Sequence, residues 1–394
     1  MRWLTLCCGL LALAVSAKAV RPFTVLVYDV ENLAGVDGKT TSADYRPAQY
    51  SRAHLMTKMN NIARVAQLFE EGKGPDIILF QELERDFTNN QYVFDHDGML
   101  KRYANLRIEE MLGMSFTSEI ARMPIEALLL KTFSDRGMKG YRVAAPDDAI
   151  LPDARRYVTH LNVIFTRFPI GALRTYPIPG APAMMEVQVE VEGYPLYLFN
   201  IDWSPEAGDK AAESLRIQAA EILRTRLDEI FGVNPNADVI IAGNFNCFYD
   251  QKLRFQWDRT ALQDVLKVKG DELLLRNSGT DLYNFWYELP PGERGSEING
   301  DTWSTCMQMV VSRGLYDFRG IQYVDNSFSV AAFEGINATP EGKPFAWSFR
   351  GMGEGFSNHF PLAARFTTVR NNRPDVFLKL PTGPSAPLVV APPR

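Results

Sequence analysis

The segment Asp238 to Asn246, DVIIAGNFN, constrains this chain most. Val239 to Ala242 is a continuous apolar run that fits a strand covered on both faces, and Gly243 then lets the backbone turn where two asparagine side chains are presented. Two other segments have the same shape. PDIILFQE ends at Glu82, and GFSNHFP carries His359 ahead of another apolar run. Three separated strand ends therefore carry a glutamate, an amide pair and a histidine.

Further short runs rich in Val, Ile and aromatics predict strands at Phe23 to Tyr28, Asp76 to Phe80, Leu161 to Phe165, Val187 to Val191, Leu196 to Ile201, Met307 to Ser312 and Leu362 to Thr367. Helical spacing of apolar residues predicts helices over Ala53 to Glu71 and Lys210 to Phe231. Strands outnumber helices, so the economical packing is two stacked sheets with helices outside them. Arg85 to Ala154 interrupts the pattern. It reads as an insertion with a helical centre around Tyr103 to Met114, forming a lid or a surface excursion. The chain from Asn371 to Arg394 holds six prolines and reads as an extended or disordered tail.

In chain order, the motifs are Tyr28-Asp29-Val30-Glu31-Asn32-Leu33, Phe80-Gln81-Glu82, Asn162 ahead of Arg167-Phe168-Pro169-Ile170, Phe199-Asn200-Ile201-Asp202-Trp203, Gly243-Asn244-Phe245-Asn246, Gln308-Met309-Val310-Val311-Ser312 and Ser357-Asn358-His359-Phe360-Pro361. The series resembles the endonuclease/exonuclease/phosphatase superfamily, which includes DNase I-like nucleases, neutral sphingomyelinases and inositol-phosphate phosphatases. The resemblance implies an α/β fold, the four-layer DNase I-like sandwich of two packed mixed β-sheets flanked by helices, over residues 20–370. It also implies hydrolysis of a phosphodiester or phosphomonoester by in-line attack of water, assisted by a divalent metal. Mg²⁺ is the first expectation, with Mn²⁺ or Ca²⁺ the alternatives.

Hydrolysing a phosphoester needs a cation on the phosphoryl oxygens, a positioned water and donors for the developing charge. Carried over residue by residue, the resemblance makes Glu82 a metal ligand and places Asp29, where the family uses Asn, near the same ion. Asn246 and His359 would contact the phosphate. Several positions depart from the family: Asn244, Met307 and Asn358 stand where it has acids, and Asp202 stands where it has a catalytic histidine. Asn244 cannot accept a proton, and His359 is expected to lack its usual carboxylate partner. Asp202 then becomes the replacement base or a ligand of a relocated metal site. Arg167 is a candidate fork to phosphate and Trp203 a candidate stacking surface or a core aromatic. Asn162 and Asn200 either support the fold or face the substrate, and Asp238 reads as a surface residue at a strand start.

The first 20 residues, MRWLTLCCGLLALAVSAKAV, show a basic start, an apolar run and an A-x-A site, which predicts a signal peptide cleaved after Ala19 and a secreted or periplasmic protein. The apolar run is shorter than the roughly 20 residues of a spanning helix. Removing residues 1–19 takes away Arg2 and Lys18 and no acid, so 42 basic residues become 40 against 47 acidic, net −7. An acidic surface argues mildly against strong non-specific nucleic-acid binding. Cys247 and Cys306 then remain, as two buried thiols in preference to one bridge. Nucleic acid, a phospholipid head group and a sugar phosphate all stay open as substrates. Two rivals come from other classes: a silent binding protein that keeps the cleft, and an adhesion module of the insertion and tail. Asp29, Glu82 and Asp202 around one point would favour the enzyme, and Asp202 facing solvent would favour the binder.

Overall fold

The computed structural model describes residues 22–40, 42–86, 93–146 and 160–369. The expected signal peptide and the proline-rich tail lie outside the described residues.

Two seven-stranded sheets form the centre. The first contains β1 (Phe23–Leu33), β2 (Ile77–Glu84), β3 (Arg142–Ala144), β4 (His160–Thr166), β14 (Gly320–Tyr323), β15 (Ser329–Val330) and β16 (Leu362–Val369). The second contains β5 (Ile170–Ile178), β6 (Ala181–Val191), β7 (Tyr194–Asp202), β8 (Asp238–Asn244), β9 (Val268–Lys269), β10 (Leu282–Asn284) and β13 (Met307–Ser312). A separate hairpin pairs β11 (Glu297–Asn299) with β12 (Thr302–Ser304).

At the middle of each sheet a parallel pair is flanked by antiparallel strands. β1 runs parallel to β2, with β16 and β4 antiparallel outside them, and β7 runs parallel to β8, with β6 and β13 outside. The sheets are therefore mixed, and the strands buried on both faces are the ones that read as continuous apolar runs. Side chains alternate between two cores along β1. Val25 and Val27 join Ile77, Leu79, Val187, Ile240 and Met309 between the sheets, whereas Leu26 and Tyr28 pack outward with α1 (Arg52–Ala66). On the second sheet, Phe199, Ile201, Val239 and Ile241 face outward against a long helix, Lys210–Val233. The layers are helix, sheet, sheet, helix, the DNase I-like α/β sandwich.

The helix expected over Ala53 to Glu71 ends at Ala66; Phe69 is already extended, and Glu70 and Glu71 adopt left-handed backbone before Gly72. The described part of the insertion packs against the first sheet. It forms short helices α2 (His96–Arg102), α3 (Ile108–Leu112), α4 (Ser118–Ala121) and α5 (Ile125–Asp135), and then the edge strand β3. Phe133 of α5 packs edge-on against Phe80 and Phe165, so this segment is part of the outer layer over the first sheet. Asp238 is buried, not superficial: its carboxylate accepts from the Ile321 amide at 3.1 Å, and burial raises its pKa well above the ordinary carboxylate range. Both Cys247 and Cys306 are buried free thiols.

Candidate active site

The ends of the two central parallel pairs meet along one seam. Asp29 lies opposite Gln81, one residue before Glu82, and Asp202 lies opposite Asn244. Gly243 makes the second pairing sterically feasible: a Cβ there would stand 1.9 Å from the Ile201 carbonyl oxygen, at φ +140°. Backbone irregularities cluster at the same rim. Glu31, Asn32, Glu82 and Asn246 all have positive φ without being glycine, and the β2–β4 register slips between Phe80 and Leu83, around Glu82. Such conformations cost about 1–3 kcal/mol each and persist where the surroundings over-determine them.

A cleft of about 560 Å³ opens on the seam, with Glu82, His160, Asp202, Asn246, Glu297 and His359 on its walls. Glu82, His160 and Asp202 each direct one ligand atom to within 4.8 Å of the others. Burial, followed by the charges of neighbouring carboxylates, raises Glu82 to about 8 and Asp202 well above the ordinary range. His160 is pushed down to about 4 by burial, so its ring is neutral at physiological pH. Two crowded carboxylates beside a neutral imidazole are a donor set that a divalent cation fits, because the cation removes the repulsion that otherwise keeps the acids protonated.

Asp29 is not part of that group. Its Oδ2 accepts from Asn244 Nδ2 at 3.2 Å, and its Oδ1 accepts from the Glu31 amide at 3.0 Å. Asp29, expected beside Glu82 at the ion, lies outside the group of ligand atoms that converge, and His160 completes that group with Glu82 and Asp202. Asp202 is buried beside Glu82 and does not face solvent, as the binder would have it, while Asp29 does not join them at the same point as the enzyme criterion asked.

His359 does have a carboxylate partner, contrary to the sequence expectation. Glu297, on the β11–β12 hairpin, pairs with its Nε2. Asn358 Oδ1 lies 2.6 Å from Nδ1, and Asp29 Oδ1 lies 3.9 Å from the same nitrogen. Burial alone would lower the imidazole, but Glu297 and then Asp29 outweigh it and hold His359 near 10. Burial likewise opposes ionisation of Glu297, and the imidazolium overrides it, holding the carboxyl at about 2. Glu31 Oε2 fastens the loop that presents this histidine, accepting from the Trp347 amide at 2.9 Å and the Asn358 amide at 2.8 Å. The position where the family has an acid, Met307, is fully buried opposite Asn244.

Asn246 donates from Nδ2 to the Trp203 carbonyl at 2.7 Å and stands 3.4 Å from Asp202 Oδ1. Asn244 Oδ1 accepts from the Asn246 amide at 3.1 Å, so the two asparagines fix each other. Four further candidates are engaged in the fold. Arg167 donates to the carbonyls of Gly74, Pro75 and Lys139 and lies over the Tyr141 ring, which uses its fork on the fold. Trp203 is 1% exposed and packs edge-on against Phe245, leaving no face for a base or sugar. Asn200 donates to the Phe80 and Val163 carbonyls and so ties the two sheets together. Asn162 donates to the Ala183 carbonyl across the same interface.

Sequence reading missed His160 and Glu297. His160 is the first residue of β4, beside an apolar run that was itself recognised, whereas Glu297 sits in a two-strand hairpin with no apolar signature.

Residues 183–367 match the model of the Endonuclease/Exonuclease/phosphatase family. Among curated proteins, none matches the chain. Solved structures similar to it include TDP2 from Caenorhabditis elegans, at 12% identity and TM-score 0.46, covering 88% of this chain and 74% of that one. An endonuclease/exonuclease/phosphatase family protein from Bacteroides thetaiotaomicron has 15% identity and TM-score 0.46, with 89% and 96% covered. The human Nocturnin catalytic domain with bound sulfate has 11% identity and TM-score 0.41, with 88% and 94% covered. The family model supports the superfamily resemblance carried by the motifs over residues 183–367.

Proposed function

We propose, for a chain with the phosphoesterase fold of the endonuclease/exonuclease/phosphatase superfamily, a metal-dependent hydrolysis of a phosphodiester or phosphomonoester by attack of water. The observation that carries this reading is the convergence of Glu82, His160 and Asp202 on the cleft wall. A cation held there would polarise the phosphoryl group and lower the pKa of a bound water. Asp202 would then face the ion and take the proton of the attacking water. Asn246 lines the same cleft, its side-chain amide held between the Trp203 carbonyl and Asp202 Oδ1. His359 supplies a fixed imidazolium at the far wall, kept charged by Glu297.

One exchange supports a rewired site over a decayed one. The superfamily resemblance expects an amide at residue 29 and a carboxylate at residue 244, and this chain has the reverse. The two side chains touch, Asn244 Nδ2 to Asp29 Oδ2, so one carboxylate and one amide still span the seam. A second reading, a phosphate-binding protein without turnover, draws on His359, whose two ring nitrogens are already engaged by Asn358 and Glu297.

The test is release of p-nitrophenol from bis(p-nitrophenyl) phosphate, and cleavage of single-stranded DNA, with Mg²⁺, Mn²⁺, Zn²⁺ or EDTA, beside Glu82→Ala. Metal-dependent turnover that the variant lacks supports hydrolysis. Phosphate binding by calorimetry, with no turnover above the variant under any metal, supports the binding protein.

A further inference from the structure

We propose that Glu82, His160 and Asp202 form a three-donor cation site whose imidazole selects a first-row transition cation of the Zn²⁺ type over Mg²⁺ and Ca²⁺. This rests on the metal-dependent reading above and deepens it by naming the class of ion. The three donors come from three strands in two sheets, and each is held by its backbone. Glu82 is fixed by the bulge in β2, His160 by its pairing opposite Glu84 at the start of β4, and Asp202 by its pairing with Asn244 at the end of β7. Their ligand atoms converge to within 4.8 Å of one another.

Mg²⁺ is small, demands near-ideal octahedral oxygen coordination and keeps several waters, so carboxylates and phosphates hold it and imidazole does not. Imidazole suits Zn²⁺, Fe²⁺, Co²⁺ and Ni²⁺, whose affinity for mixed nitrogen and oxygen donors exceeds that of Mn²⁺ in the usual order. Three protein ligands of this kind leave a coordination position for water, the arrangement of catalytic and not structural zinc sites. The oxygen-only alternative, Glu82 with Asp29, is not the set that converges: the ligand atoms that lie together are those of Glu82, His160 and Asp202. The cleft lies in front of the three donors, so the open position faces the space a substrate would enter.

The full chain stripped of metal, and its His160→Gln and Asp202→Asn variants, are titrated with Co²⁺ and followed by visible absorption, then challenged with Zn²⁺, Mg²⁺ or Ca²⁺. Far-UV circular dichroism and thermal melts of the metal-free proteins establish that each variant is folded. The expected result is one Co²⁺ per chain, displaced by stoichiometric Zn²⁺ and not by millimolar Mg²⁺ or Ca²⁺. His160→Gln should weaken Co²⁺ about 100-fold or more, since even an outer-shell partner of a metal ligand is worth about 10–100-fold. Displacement of Co²⁺ by Mg²⁺ at comparable concentration, unchanged affinity in His160→Gln, or absorption from a thiolate ligand would each overturn the proposal. Mg²⁺-supported hydrolysis with no selective Co²⁺ binding would remove this inference and leave the phosphoesterase standing. Selective binding without turnover would do the opposite.

Discussion

Glu297→Gln removes the negative charge that keeps His359 ionised while preserving the side chain's shape. In the native protein the pair is buried on both sides, with side-chain exposures of 9% and 15%. Breaking one partner of such a pair costs about 3–5 kcal/mol, because the other charge is left uncompensated. A chain of this length has an unfolding entropy of about 0.7–0.8 kcal/mol/K, so the melting temperature should fall by roughly 4–7 °C. The pH dependence is more diagnostic. His359 is raised from 6.5 to about 10 in the folded protein, so its contribution is full below pH 6.5 and is lost as the pH rises through 10. Glu297 is lowered from 4.5 to about 2, so its contribution is full above pH 4.5 and is lost as the pH falls through 2. Wild-type stability should therefore decline between pH 6.5 and 10 from this source. In Glu297→Gln burial dominates and the imidazole falls toward or below its ordinary pKa. The decline above pH 6.5 should then vanish, and stability should instead fall on acidification below 6.5. Urea unfolding at pH 5, 7 and 9, with the His359 ring followed by NMR, reads both effects. Parallel pH profiles for the two proteins would refute the assignment of Glu297 as the partner.

The carboxylate and amide at residues 29 and 244 should behave as one unit. Asn244→Asp alone places two acids in contact and should destabilise the protein, whereas Asp29→Asn combined with Asn244→Asp should recover about 1–3 kcal/mol relative to additivity, read from a double-mutant cycle in urea. Arg167→Ala should cost about 2–4 kcal/mol in chemical denaturation, from several orphaned carbonyls, and leave KM unchanged because the side chain faces away from the cleft. Asn246→Ala should lower kcat by about 10²–10³ while the protein keeps its metal, measured by steady-state kinetics beside metal content.

The fold was legible because its central strands are buried on both faces. Val239 to Ala242 carries that burial as an unbroken apolar run and Met307 to Ser312 as a run broken only by Gln308 before its terminal serine, and both are strands at those residues. β5, which is largely exposed, has no such run and was not recognised. The long helix was legible for a related reason: its apolar side chains repeat at helical spacing against one face of the second sheet. The site was legible only where it coincided with a strand end, as at Glu82, Asp202 and Asn244. Partners that meet through space leave no local signal. Glu297 reaches His359 from a small hairpin, and His160 reaches Glu82 from a neighbouring strand whose apolar residues drew attention away from its first position. Arg167 and Trp203 stayed open in the sequence because guanidinium forks and indole rings serve carbonyls and cores as readily as ligands, and only the fold decides between them.

The central claim is attack of water on phosphorus in the cleft, with a cation held by this chain. The most direct measurement is hydrolysis of an aryl phosphodiester in ¹⁸O-labelled water by metal-loaded protein, beside the EDTA-treated protein and Glu82→Gln. The account predicts label in the phosphate product and turnover lost in both controls. Label in the alcohol, or turnover that survives EDTA and Glu82→Gln unchanged, would contradict it.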